Sequence, residues 1–85
     1  MRRLVFSLAP LMFLTAPAFA GPDCSSTPAS TPMWQVAKGF EDAGGSIREM
    51  KVSDGCYEIY GTNGDEKLEI YYDPSSGAEL ERETR

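Results

Sequence analysis

The sequence predicts a small α+β domain: one N-terminal helix packed on a three-stranded antiparallel β-meander. Three observations lead there. Met33, Val36, Ala37, Phe40 and Ala43 or Gly44 recur at helical spacing and so share one helix face. Asp54-Gly55 and Asn63-Gly64 lie between alternating apolar and polar runs and are strong hairpin signals, because a type I′ turn needs positive φ at both central positions. The strand registers that these two turns imply agree with each other.

Residues 1–20 read as a secretory signal peptide. Met1-Arg2-Arg3 supplies a positive start, Leu4 to Leu14 an apolar stretch, and Ala18-Phe19-Ala20 a small-x-small cleavage site. The apolar stretch is too short for a bilayer core of about 30 Å, and no second one follows. Stable membrane insertion after cleavage is therefore not expected. The arginine pair lacks the rest of a twin-arginine pattern, and no Leu-x-x-Cys lipidation box precedes Cys24. The expectation is export by the general route, with the periplasm as first destination and the extracellular space as second.

Of the 8 Lys and Arg, the leader holds two, which leaves six against 13 Asp and Glu and a net charge of −7. That sign opposes nucleic acid and anionic membranes, which need clustered cations. It suits solubility or a basic partner.

Residues 21–32 form a Ser/Thr/Pro-rich tether without apolar periodicity. A domain of this size has a marginal core and is commonly stapled. Two cysteines in an exported chain read most simply as one disulfide, Cys24–Cys56. Closing a loop of about 33 residues stabilises by roughly 3–4 kcal/mol in the chain-entropy model. A reactive pair is the other reading, but there is no Cys-x-x-Cys spacing and no histidine to depress a thiol pKa.

The domain proper spans 33–80. Thr31 suits an N-cap and Pro32 the first helical position, and Gly44-Gly45 suits a left-handed C-terminal cap. Gly39 costs about 1 kcal/mol against alanine, which close packing at that point would explain. Trp34 is expected to close one end of the core, with a binding residue as the other reading. Strands are expected at 46–53, 56–61 and 66–73, the Cys56 strand being central. A two-residue loop at Asp54-Gly55 sets Val52 opposite Tyr57, Lys51 opposite Glu58 and Met50 opposite Ile59. A second at Asn63-Gly64 sets Ile59 opposite Leu68, Glu58 opposite Glu69 and Tyr57 opposite Ile70. Met50, Val52, Tyr57, Ile59, Leu68, Ile70 and Tyr72 then share the helix-facing side. Ile47 breaks the alternation, so a bulge or the strand's start is expected near Arg48. Asp73-Pro74-Ser75-Ser76-Gly77 is a turn. Residues 78–85 either add a short fourth strand through Leu80 or fray, with 81–85 taken as a polar tail.

Parity puts Cys56, Glu58 and Tyr60 on the face away from the helix. A Cys24–Cys56 bond would draw the tether across that face, with Tyr60 and Tyr71 beneath it. Glu58 and Glu69 are expected as a solvated cross-strand pair relieved by Lys51 rather than as an acid/base dyad. With no histidine, no Gly-rich phosphate loop and no EF-hand spacing, no catalytic residue, metal ligand or cofactor is expected.

The order of a Trp-containing helix, the run IREMKVSDGCYEIYG, the hairpin around Asn63-Gly64, and the ending EIYYDPSSGAEL resembles the PepSY domain, in particular small exported single-domain bacterial members. The parts that carry it are Asp54-Gly55-Cys56-Tyr57-Glu58, Gly61 with Asn63-Gly64, and Asp73-Pro74 to Gly77. The resemblance implies a non-catalytic binding module that inhibits or restrains a peptidase, and the expected partner is an exported peptidase or envelope protein. The side chains expected to meet it are Arg48, Lys51, Tyr60 and Tyr71, beside an exposed edge at Ser46–Val52 or Lys67–Tyr72 that could add to a partner's sheet. Lys67 equally suits a charge that keeps an edge from aggregating. The second expectation is a small-molecule or cation-sensing domain linked to a membrane sensor, which requires Glu58, Glu69, Asp65 and Glu66 to cluster.

Overall fold

The computed structural model describes residues 21–85. The signal-peptide reading of 1–20 lies outside the described residues. Helix α1 (Met33–Asp42) is followed by four strands, β1 (Ser46–Ser53), β2 (Cys56–Asn63), β3 (Glu66–Tyr72) and β4 (Glu79–Thr84). The strands form one antiparallel sheet in the order β1-β2-β3-β4. The sheet thus has four strands rather than three, and residues 81–85 are not a loose tail. β3 is therefore interior, and β1 and β4 are the edges. Among the described residues, no helix is long and apolar enough to cross a membrane.

The helix starts one residue later than its cap signals suggest. Pro32 occupies the N-cap in extended conformation, with no side-chain cap. Thr31 is drawn elsewhere: its N–H donates to Pro74 O (2.8 Å) and its hydroxyl to Ser75 O (2.8 Å). The C-terminus ends as expected. Gly44 (φ 98°) donates to Glu41 O and Gly45 to Phe40 O, the paired bonds of a Schellman cap.

Val36 and Phe40 pack on Tyr57, Ile59, Leu68, Ile70 and Tyr72, with Met33, Ile47 and Met50 at the margin. Apart from Ile47, which breaks the alternation, these are residues that the pattern placed on one face. Two apolar residues stay outside. Val52 points to the same side but is 55% exposed, and Trp34 is 66% exposed rather than closing the core. Gly39 has nothing within 4 Å of where a Cβ would lie, so close packing does not explain it. Its missing side chain instead faces a groove of about 300 Å³ between the helix and the β3–β4 hairpin, lined by Val36, Phe40, Tyr72, Glu79 and Arg82.

The first hairpin has the expected register, with Val52, Lys51 and Met50 opposite Tyr57, Glu58 and Ile59. Asp54 (φ 48°) and Gly55 (φ 82°) both take positive φ, as a type I′ turn demands. The expected irregularity near Arg48 is also present, as a shift in register between Ile47 and Glu49.

The second hairpin differs. Asn63 pairs with Glu66, so the loop is Gly64-Asp65. Only Gly64 (φ 63°) has positive φ there. That is the type II′ pattern, glycine first. Asn63 is kept in the strand, and its side-chain amide donates to Ala43 O at the end of the helix (3.3 Å). The register moves by two residues: Tyr57 faces Tyr72, Glu58 faces Tyr71, Ile59 faces Ile70 and Tyr60 faces Glu69. Because the move is even, every side chain keeps its face while its partner changes.

The turn at 73–77 leads into β4. Asp73 Oδ1 accepts from Ser75 N–H (2.7 Å), and Gly77 N–H donates to Asp73 O (2.7 Å). Leu80 falls where the β3–β4 register shifts, between the rungs Tyr71–Glu81 and Tyr72–Glu79, and it stays half exposed.

Candidate functional site

The face of the sheet away from the helix carries the molecule's concentrated chemistry. Strand alternation sends Cys56, Glu58 and Tyr60 of β2 to this side, with Lys67, Glu69 and Tyr71 of β3. Pairing then builds two polar rungs, Lys51–Glu58–Tyr71–Glu81 and Glu49–Tyr60–Glu69–Glu83.

At one end lies the disulfide. Cys24 and Cys56 are bonded (Cα–Cα 4.9 Å) and form a small buried cluster with Tyr71. Cys56 does face away from the helix, and the tether does cross this surface. Cys24 N–H donates to Asp54 O (2.7 Å), and Gly21 lies so close that a Cβ there would come within 2.8 Å of the Tyr71 ring. The tether is held at a second point as well, where Tyr57 Oη donates to Thr31 O (2.6 Å). It is thus fixed to both faces.

In the middle are Glu58 and Glu69. They are neither directly opposite nor solvated: the two residues are 1% and 4% exposed. Glu69 accepts from Tyr60 Oη (3.0 Å) and Tyr71 Oη (3.1 Å), and it is ion-paired with Arg85. Glu58 Oε2 is buried without a hydrogen-bond partner among the described residues. The pair's titration follows from this asymmetry. Burial, then a hydrogen bond shared with Glu69, raises the Glu58 pKa. Burial works against Glu69 too, but hydrogen bonds from Glu58, Arg85, Tyr60 and Tyr71 outweigh it and hold that pKa down to about 2. Two adjacent carboxyls that share one proton have this split. The same carboxylates act on the phenols: the hydrogen bond to Glu69 pushes Tyr60 up to about 12, and burial followed by both glutamates raises Tyr71.

At the other end the surface opens into a cleft of about 370 Å³ lined by Arg48, Glu49, Tyr60, Thr62, Lys67 and Arg85, with Gly61 and Leu68. Lys51 Nζ lies 5.3 Å and Arg85 Cζ 5.4 Å from the centre of the Tyr60 ring, both within cation–π range. Of the four expected binding residues, Arg48 and Tyr60 line the cleft and Lys51 adjoins it through that ring. Tyr71 is not with them: it is 6% exposed and belongs to the disulfide cluster. Arg85 escaped notice because residues 81–85 read as a tail. No periodic signal places it, since residues 81–85 are polar throughout.

The four carboxylates needed for cation sensing do not gather. Asp65 lies in the exposed second turn with Glu66 beside it, whereas Glu58 and Glu69 are buried. Among the described residues, no group of three or more His, Cys, Asp and Glu is arranged to hold a metal ion.

Comparison with known proteins yields one family: the family model PepSY_2, described as peptidase propeptide and YPEB domain, matches residues 4–83. Neither the curated proteins nor the solved structures yield a match.

Proposed function

This chain belongs to the peptidase propeptide and YPEB domain (PepSY) family, and from that membership we propose that it is an exported, non-catalytic binding module that restrains a peptidase in the cell envelope. One observation carries the choice of binding surface. Beside the free edge β1 lies a cleft where exposed Arg48 and Lys67 flank Tyr60. An edge strand offers unpaired main-chain groups to an extended segment, and flanking side chains select which segment docks. The buried glutamate pair serves as support for this surface. The Glu69 oxygens are committed to Tyr60, Tyr71 and Arg85, and both glutamates are buried. A disulfide that joins the tether to β2 fits a module working in an oxidising compartment.

The test is kinetic. A purified exported metallopeptidase is assayed on a fluorogenic substrate against increasing amounts of this protein. Saturable slowing, weakened when β1 carries a bulky substitution at Arg48, is the expected result. Unchanged rates with a large excess of folded protein would sink the proposal.

A further inference from the structure

We infer that the cleft around Tyr60 takes a carboxylate carried by a polypeptide, either a free C-terminus or an acidic side chain. The inference rests on the binding-module reading and names the chemistry of its partner.

The distribution of cations is the first ground. Beyond the leader the chain has six basic residues in an excess of acid. Two are spent in local ion pairs far from the cleft, Lys38 with Asp42 and Arg82 with Glu79. Of the other four, Arg48, Lys67 and Arg85 line the cleft with Tyr60, and Lys51 and Arg85 lie over its ring. Of these, Arg85 is engaged by Glu69 and Lys51 by the ring. The side chains of Arg48 and Lys67 have no hydrogen bond or ion pair among the described residues. They line the cleft from β1 and β3, the strands on either side of β2, and both are exposed.

Protection of a sheet edge suits Arg48 on the edge strand β1 but does not account for Lys67. That explanation suits a charge on an edge strand, but β4 covers β3, so Lys67 is on an interior strand. The register shift at Arg48 brings a second residue, Glu49, to the same cleft. Glu49 is an acid among the cations, and it sets a limit on the ligand: one singly charged carboxylate is accommodated more easily than a polyanion. The acidic balance of the whole chain further opposes nucleic acid. A guanidinium grips a carboxylate through two parallel N–H donors, and the Lys67 ammonium supplies a point charge. The cleft's volume lies within the range of ligand pockets.

The probes are three acetylated heptapeptides of one Thr/Val sequence, titrated calorimetrically at low salt into the protein as purified from an exporting host. The first has a free C-terminal carboxylate, the second a C-terminal amide, and the third an amide with a central glutamate. At least one carboxylate peptide should bind ten-fold or more tightly than the neutral amide, and which one does so identifies the source. R48Q/K67Q should abolish that preference with an unchanged melting temperature, since both side chains are exposed, and K38Q should retain it. Equal binding of all three, or binding of none, would overturn the inference. The two proposals separate cleanly. Carboxylate-selective binding without any effect on a peptidase sustains the cleft and sinks the restraint, whereas peptidase slowing by a protein that binds all three peptides equally does the reverse.

Discussion

The carboxyl of Glu58 is the most exacting group in the molecule, because it is buried with one oxygen unpartnered beside another carboxylate. Its effect on stability has a definite sign. The folded state holds a proton that the unfolded chain releases near the ordinary value of 4.5, so stability from this group is lost as pH rises from there through the raised folded value. Glu69 acts in the opposite sense. Its ionised form contributes stability above 4.5, and this is lost as pH falls from 4.5 towards about 2. Together the pair favours mildly acidic conditions. E58Q keeps the shape, removes the charge and can donate to Glu69. It should therefore raise stability at pH 8 by on the order of 1 kcal/mol, the scale of relieving a buried unsatisfied oxygen, and have little effect at pH 4. Urea unfolding at the two pH values measures this, and equal effects at both would contradict it. The sequence pattern correctly assigned these glutamates to one face. It misjudged their burial, because Tyr60 and Tyr71 on the same two strands, and Arg85 just beyond β4, engage Glu69 in the folded sheet.

Strand β4 decides what the sheet's edges are. It reads poorly as a strand: Glu79, Glu81, Arg82 and Glu83 carry charge, and its one large apolar residue, Leu80, is half exposed. Its pairing relies on main-chain hydrogen bonds to β3 and on Arg85 reaching Glu69. R85A should lower the urea midpoint, because it removes the cation paired with buried Glu69. It should also accelerate amide exchange in β3 and β4 ahead of β1. Truncation after Ala78 should cost more, since it exposes β3 as well. A truncated protein with the urea midpoint of the intact chain would show that β4 contributes nothing. The neighbouring hairpin illustrates what turn chemistry can specify. Asp54-Gly55 forms the turn its dipeptide indicates, but the Asn63 amide is used by Ala43 O, and the loop moves on to Gly64-Asp65.

For the whole molecule, the disulfide and the tether replace part of the core that so short a chain lacks. One helix covers one face, and the tether is fastened across both ends of its course, through Cys24 to Cys56 and Asp54, and through Thr31 to Pro74, Ser75 and Tyr57. C24A/C56A should lower stability by about 3 kcal/mol, mainly by freeing the unfolded chain. It should raise amide exchange at residue 24 while leaving Thr31 protected, because the second fastening does not depend on sulfur. Simultaneous loss of protection at both positions, read by hydrogen exchange, would show that the tether is a single unit.

The helix, three strands, the disulfide partners and the face taken by each side chain were readable from the chain alone, because they depend on local period, turn residues and cysteine count. The second register was not. A slip of two residues preserves the apolar face, so the pattern fits both pairings equally, and the observed one goes with contacts made only in the folded chain, such as Asn63 with Ala43 O and Tyr60 with Glu69. β4 was left open for a related reason: main-chain pairing to a neighbour stabilises it, and main-chain pairing leaves no periodic signature. The buried acid pair and the cationic cleft both follow from those two tertiary choices, since Tyr60 meets Glu69, and Arg85 reaches it, only in the folded sheet.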